Sequence, residues 1–295
     1  MTTSNPSLRD NAEQPAKSDA ARGPRDSADA KMERKYRHLI WAFAKRDLMA
    51  RYKGTLLGWI WTILVPLARL LVYTLVFSVI FRSVPPPPGN GGDPVFIMWF
   101  FPGLVIFTFF ASGVTSGMSS LLSASGLLGR VYLPSYVPTI GNAAGNAIQG
   151  IIEMGLALLL LLAFVNVGWS WLVLPLWLAL LFVFCTSVGY LLAVANVFAR
   201  DVGQIVGVIV QLLFFTSAVM YPPSAIPEQL GSIPLRDLIM LNPVAQFVQS
   251  IREVVYELVV PGPGQTLYVV GWTLVVFLAA VVVYRWRGRD VAEVL

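Results

Sequence analysis

Apolar residues run almost unbroken through six stretches of this chain, at about 58–81, 95–122, 137–165, 171–198, 203–221 and 266–284. A bilayer core of about 30 Å takes about 20 residues of helix, and only structures that pair their own backbone groups can cross it. The pattern therefore predicts an all-α integral membrane protein with six transmembrane helices. The fourth and fifth are separated only by ARDVG.

The flanking segments follow other periods. In KMERKYRHLIWAFAKRDLMARYKG, Tyr36, Leu39, Ile40 and Phe43 recur at helical spacing among basic residues. This predicts an N-terminal amphipathic interface helix within residues 31–57, which either only anchors the chain or also offers a docking surface for a partner, the pattern suiting both equally. Residues 1–30 are polar and of mixed charge, which predicts a disordered cytoplasmic tail, and no secretory signal is expected there. Residues 58–295 then form the six-span domain. SVPPPPGNGGDP, residues 83–94, reads as a stiff connector outside the membrane. Between spans five and six, Asn242 before Pro243 has the form of a helix start, and Val244, Phe247, Val248, Ile251 and Val255 share one face. That helix is too short and too charged to cross. Short re-entrant helices are expected here, and such backbone is tolerated only against protein or a wet cavity.

Composition narrows the functional classes. Of 295 residues, 56% are hydrophobic and 13% charged, and the mean hydropathy is +0.69, which excludes soluble enzymes. Twelve of the 21 Lys and Arg precede Gly58, and Arg130, Arg200, Arg285, Arg287 and Arg289 fall on the same side. Both termini are therefore expected in the cytoplasm. The net charge of +5 then reflects topology and contact with membrane lipids, with no nucleic acid expected as a partner. One cysteine, Cys185, and one histidine, His38, leave no material for a disulfide, a histidine triad or a His/Cys metal site. No catalytic residue and no metal ligand is assigned.

Polar residues inside the spans carry the candidate chemistry. Arg69 stands about 16 Å into the first span, and Thr62, Pro66, Arg69, Tyr73 and Phe77 share its face. An ionisable residue at that depth serves a pathway or pairs with a buried carboxylate such as Glu153. Asn142, Asn146, Gln149 and Glu153 form a stripe on the third span, where interhelical hydrogen bonding alone would explain the asparagines. Gly141 and Gly145 would let another helix approach closely. In the fifth span Gln204 and Gln211 share a face with Val208 and Phe215, a pattern equally suited to packing and to lining.

The motif RDLMARYKGTLLGWIWTILVPLARLLVYTLVFSVIF, followed in order by LLGRVYLPSYVP, NVFARDVGQIV, FFTSAVMYPPSAIP and LNPVAQFVQSIRE, resembles the type 2 ABC transporter permeases that export polysaccharides. The resemblance spans about residues 33–290. It implies a permease homodimer in the bacterial cytoplasmic (inner) membrane, driven by two copies of a separate ABC ATPase subunit. ATP and Mg would be bound by that partner, and the absence of a G-x-x-x-x-G-K-[ST] run agrees. The implied substrate is a polyprenyl-diphosphate-linked glycan such as an O-antigen, teichoic acid or cell-wall galactan. Spans one and five would line the channel, which assigns Arg69, Tyr73, Phe77, Thr62 and Gln211 to it. Arg51, Tyr52 and Lys53 would stand at its entrance, where basic side chains meet a diphosphate. Leu127, Leu128, Arg130, Tyr132 and Leu133 would insert into the ATPase. Export of a drug or lipid is the alternative within the superfamily. A membrane-embedded glycosyltransferase or hydrolase would need a carboxylate constellation, and Asp201, Glu228, Asp237, Glu253 and Glu257 follow no such motif.

Overall fold

A computed structural model describes residues 37–50, 53–128, 133–229, 231–288 and 290. Two compact units divide the chain. Of Met1–Leu39 only residues 37–39 are described, and they are helical; Ile40–Leu295 contains all the contacts that follow. The expected tail at 1–30 lies outside the described residues.

Every regular element among the described residues is helical. Helix α1 occupies residues 37–50. The first span is Gly58–Ile80: a 3₁₀ turn at Gly58–Ile60, α2 at Trp61–Thr74, and a π-helical end at Leu75–Ile80. There follow α3 (Phe96–Ser123), α4 (Ser125–Leu128), α5 (Tyr136–Ala163), α6 (Leu174–Phe198) entered through a 3₁₀ turn at Trp169–Val173, and α7 (Val202–Thr216). The remainder holds α8 (Leu235–Met240), α9 (Pro243–Arg252) with a π-helical turn at Glu253–Glu257, and α10 (Pro263–Arg287).

Among the described residues, five helices are long and apolar enough to cross a membrane: Gly58–Ile80, α3, α5, Trp169–Phe198 and α10. The fifth expected span, at 203–221, is shorter than its apolar stretch. Its helix α7 has 15 residues, about 22 Å, and the chain leaves helical geometry at Ser217, with Ala218 at φ 50°. Pro222 and Pro223 lack the amide hydrogens that the Ala218 and Val219 carbonyls would need in a continuing helix. Those carbonyls accept instead from Arg252 at 3.2 and 3.0 Å.

Helix α3 is the centre of the bundle. Of its most apolar 18-residue window 72% is buried, against 11% for the first span. It packs chiefly on α5 and α6. The α3–α6 contact is close because Gly117 meets Gly189: a Cβ on Gly117 would lie 2.8 Å from the Gly189 Cα. The expected apolar face of α9 is fully realised, with Val244, Phe247, Val248, Ile251 and Val255 all buried. Its start is also as expected, since Asn242 Oδ1 accepts from the Val244 amide at 2.9 Å ahead of Pro243.

Candidate functional site

Arg69 and Tyr73, one helical turn apart on α2, border a cavity of about 350 Å³ between α2, α3 and α7. Its opposite wall is α3, which contributes Thr108, Ser112 and Thr115 at helical spacing, and α7 adds Phe214. The aromatic side is built by contact: the Tyr73 ring lies 5.2 Å from Phe100 and 5.9 Å from Phe214, and Phe107 meets Phe214 edge-on at 5.0 Å.

Two of the three hydroxyls bond groups within the protein. Ser112 Oγ donates to the Thr108 carbonyl at 2.7 Å or to Asn146 Oδ1 at 2.6 Å, and Thr115 Oγ1 donates to the Ala111 carbonyl at 2.8 Å. Their oxygens keep acceptor capacity, while the Arg69 guanidinium brings up to five donors. The ion pairs among the described residues, Arg236–Glu228 and Arg287–Asp290, do not include Arg69. The suggested Arg69–Glu153 pair is not formed; Glu153, buried on α5, accepts from Gln149 Nε2 at 2.9 Å. The cavity thus combines a cation, a phenol, hydroxyl oxygens and ring faces, a lining suited to a ligand with both hydroxyls and apolar faces.

Other candidates fall elsewhere. Phe77 stacks on Phe96 at 5.7 Å, one aromatic layer away, and Thr62 is buried with its Oγ1 unbonded among the described residues. Gln211 is exposed on α7 and is not in the cavity wall, although its neighbour Val210 is. Lys53 is exposed; Arg51 and Tyr52 lie outside the described residues. So do Arg130 and Tyr132, and only the helical backbone of Leu127 and Leu128 is described. Leu133 is 6% exposed and so packs within the protein.

The polar stripe of α5 turns toward α3. Asn146 Nδ2 donates to the Phe109 carbonyl at 3.0 Å, and Asn142 Nδ2 donates to that of Ser116 at 3.3 Å. These asparagines cross-link two helices, as interhelical hydrogen bonding requires. Gly141 and Gly145 receive α1. A Cβ on Gly141 would lie 2.4 Å from the Phe43 Cβ, and one on Gly145 would lie 3.2 Å from the Ala44 carbonyl oxygen. Phe43, Ala44 and Leu48 of α1 are buried accordingly, while Trp41, Lys45 and Arg46 face outward.

Two supports were not legible as such in the sequence. Arg252, fully buried at the end of α9, lies 3.8 Å from the Trp99 ring centroid and donates from Nε to the Trp99 carbonyl at 3.1 Å. Burial pulls its pKa down to about 9, while nearby Glu257 and Tyr256 raise it, so the guanidinium is charged at neutral pH. The other support is the proline-rich segment, which is more than a connector. The Tyr256 hydroxyl donates to the Pro86 carbonyl at 2.7 Å, and the Gly89 amide donates to the Tyr256 carbonyl at 2.9 Å. Asn166 Nδ2 bonds the Val255 and Tyr256 carbonyls, and Ser170 Oγ bonds that of Val254. Two separate connections, the proline-rich loop and the one between α5 and α6, are thereby tied to the turn that ends α9.

Comparison with known proteins adds the following. Residues 38–256 match the family described as ABC-2 type transporter. The chain is similar to the O-antigen export system permease protein RfbA of Myxococcus xanthus, 29% identical over 260 residues that cover 88% of this chain and 95% of that protein. It is also similar to a protein of the same name from Klebsiella pneumoniae, at 23% identity over 73% of this chain and 79% of that one. The polysialic acid transport protein KpsM of Escherichia coli is 25% identical over 82% and 90% of the two chains.

Proposed function

The chain belongs to the ABC-2 type transporter family, and from that premise we propose that it is the permease subunit of a polysaccharide exporter. The relatives' names, O-antigen export and polysialic acid transport, support a glycan cargo. The observation that carries the reading is the cavity joining Arg69 and Tyr73 to Thr108, Ser112, Thr115 and Phe214. Sugars present hydroxyls to cations and hydroxyl oxygens, and apolar ring faces to aromatic walls.

In this reading the working unit is a homodimer in the bacterial inner membrane, with both termini cytoplasmic. The first span, with only 11% of its window buried within one chain, has an apolar surface free to meet lipid or a second copy. Helix α7 serves as a short fifth span of six, and α8 and α9 are re-entrant from the outer side. Two copies of an ABC ATPase, which holds ATP and Mg, dock on the cytoplasmic face and drive export of a polyprenyl-diphosphate-linked glycan. Arg51, Tyr52 and Lys53 stand at the entrance, and the segment around Leu127, Leu128, Arg130 and Tyr132 couples to the ATPase.

Depleting the protein in its host tests this reading. Newly made lipid-linked glycan is expected to accumulate on the cytoplasmic side and to be delivered again when the wild-type chain is restored. Normal outward delivery of every glycan would overturn the reading and favour a drug or lipid cargo.

A further inference from the structure

A second cavity, of about 520 Å³, opens between α9 and the first turn of α10, away from the cavity at Arg69. Gln246, Gln249 and Glu253 of α9 face Gln265 and Tyr268 of α10 across it. On α9 these residues follow each other by three and four, so they form the polar face opposite the buried stripe of Val244, Phe247, Val248 and Ile251.

The amides are oriented by bonds within the protein. Gln246 Nε2 donates to the Met240 carbonyl at 2.7 Å, and Gln265 Nε2 donates to Ser250 Oγ at 2.8 Å. Gln249 Nε2 lies between the carboxylates of Glu253 and Glu257, at 3.3 and 3.4 Å. With the nitrogens so engaged, the amide oxygens of Gln246 and Gln265 are acceptors left to meet a ligand, while the Glu253 carboxyl already accepts from Gln249. Gln249 Oε1 is buried and accepts from no group among the described residues. A buried acceptor without a donor is costly, at about 1–3 kcal/mol, so a rotation that brings the Gln249 amide oxygen out to the cavity would be favoured by a ligand donor there.

A wall of several acceptors selects a ligand with several donors. Hydroxyls of a saccharide meet that need, and the volume has room for more than one sugar ring. Tyr268 sets its ring at the cavity edge and meets Trp272 edge-on at 6.4 Å, an apolar platform of the kind on which a sugar face packs. A simple cation is a poorer match, because Gln249 Nε2 already donates to the Glu253 carboxylate and the other polar groups of the wall are neutral.

We infer that the cavity between α9 and α10 is a saccharide-binding site, distinct from the path past Arg69, which holds glycan at the end of the bundle where α9 and α10 meet. The inference rests on the exporter reading for its ligand class and goes beyond it in assigning a second station. The test uses the full chain in nanodiscs and, as probe, the glycan released by mild acid from the host's own lipid-linked polymer. Saturation-transfer NMR reads contact and affinity, and a thiol dye on Cys185, buried and the single cysteine, verifies folding.

Wild-type chain is expected to bind saturably. Gln265→Met, Glu253→Met and Tyr268→Ala are each expected to weaken binding about tenfold or more, while Tyr268→Phe, which keeps the ring, stays near wild type. Leu278→Ala, at an exposed position of α10 outside both cavities, is expected to leave this binding in place. No saturable binding by the wild type, or unchanged affinity in all three weakening variants, would overturn the inference. Binding lost only in Arg69→Ala would place the glycan in the first cavity alone, overturning the inference and leaving the exporter reading intact. The depletion experiment judges that reading separately.

Discussion

Arg252 and Trp99, 153 positions apart, are locked face to face: the guanidinium carbon lies 3.8 Å from the ring centroid while Nε donates to the Trp99 carbonyl. The same side chain holds the Ala218 and Val219 carbonyls, so one cation joins α9, α3 and the break after α7. Gly103 is part of the arrangement, because a Cβ there would stand 2.1 Å from Arg252 Nη2.

Removing the cation leaves three buried carbonyls without these donors. Arg252→Met is expected to destabilise the protein by about 3–5 kcal/mol, and Gly103→Val to act in the same direction. Thermal unfolding in detergent, followed by dye labelling of Cys185, measures both. An unchanged midpoint for Arg252→Met would show that the lock contributes nothing.

The docking of α1 depends on two missing side chains. Gly141→Val, whose first added carbon would lie 2.4 Å from the Phe43 Cβ, is expected to displace α1 from α5. Limited trypsin digestion should then cut at Lys45 or Arg46 faster than in the wild type, with the Cys185 unfolding midpoint little changed. Equal digestion rates would refute the contact.

Chemistry in the first cavity separates from folding. Arg69→Ala and Tyr73→Ala are expected to lower export at least tenfold at normal expression, whereas Gln211→Ala, outside the cavity wall, is expected to have a smaller effect. A pulse-chase of glycan to the cell surface gives the comparison. Export at the wild-type rate in both Arg69→Ala and Tyr73→Ala would remove these residues from the pathway.

Acidity has a defined sign at the end of α9. Burial raises the Glu253 pKa above its ordinary 4.5, against smaller lowering contributions from hydrogen bonds to Gln249 and Gln265. The folded state therefore binds this proton more tightly than the unfolded chain. The contribution is fully present below pH 4.5 and is lost as pH rises through the folded value. Glu253→Gln should flatten that slope and raise the unfolding midpoint more at pH 8 than at pH 4. A larger gain at pH 4 would reverse the assigned sign.

Much of the fold could be read from periodicity because lipid removes alternatives: an apolar run of span length has to be helical. The start of α9 at Asn242–Pro243 and its buried face were equally local signals. The end of α7 was legible only in part: Pro222 and Pro223 mark that a helix stops nearby, but the apolar stretch continues to 221, and Arg252, which holds the Ala218 and Val219 carbonyls, is remote in sequence. In the site, Arg69 and Tyr73 stood out as polar groups one turn apart. Their partners Thr108, Ser112 and Thr115 did not, because hydroxyls that bond their own helix resemble ordinary span residues. The proline-rich loop looked like a spacer because its anchors, Tyr256 and Asn166, lie on other segments.

The most direct measurement places a photo-crosslinking amino acid at position 73 in cells that are making their surface glycan, with position 278, exposed on α10, as the control. The account predicts a glycan adduct at 73 that disappears when glycan synthesis is blocked, and none at 278. Adducts at 278 but not at 73 would contradict a path past Arg69 and Tyr73.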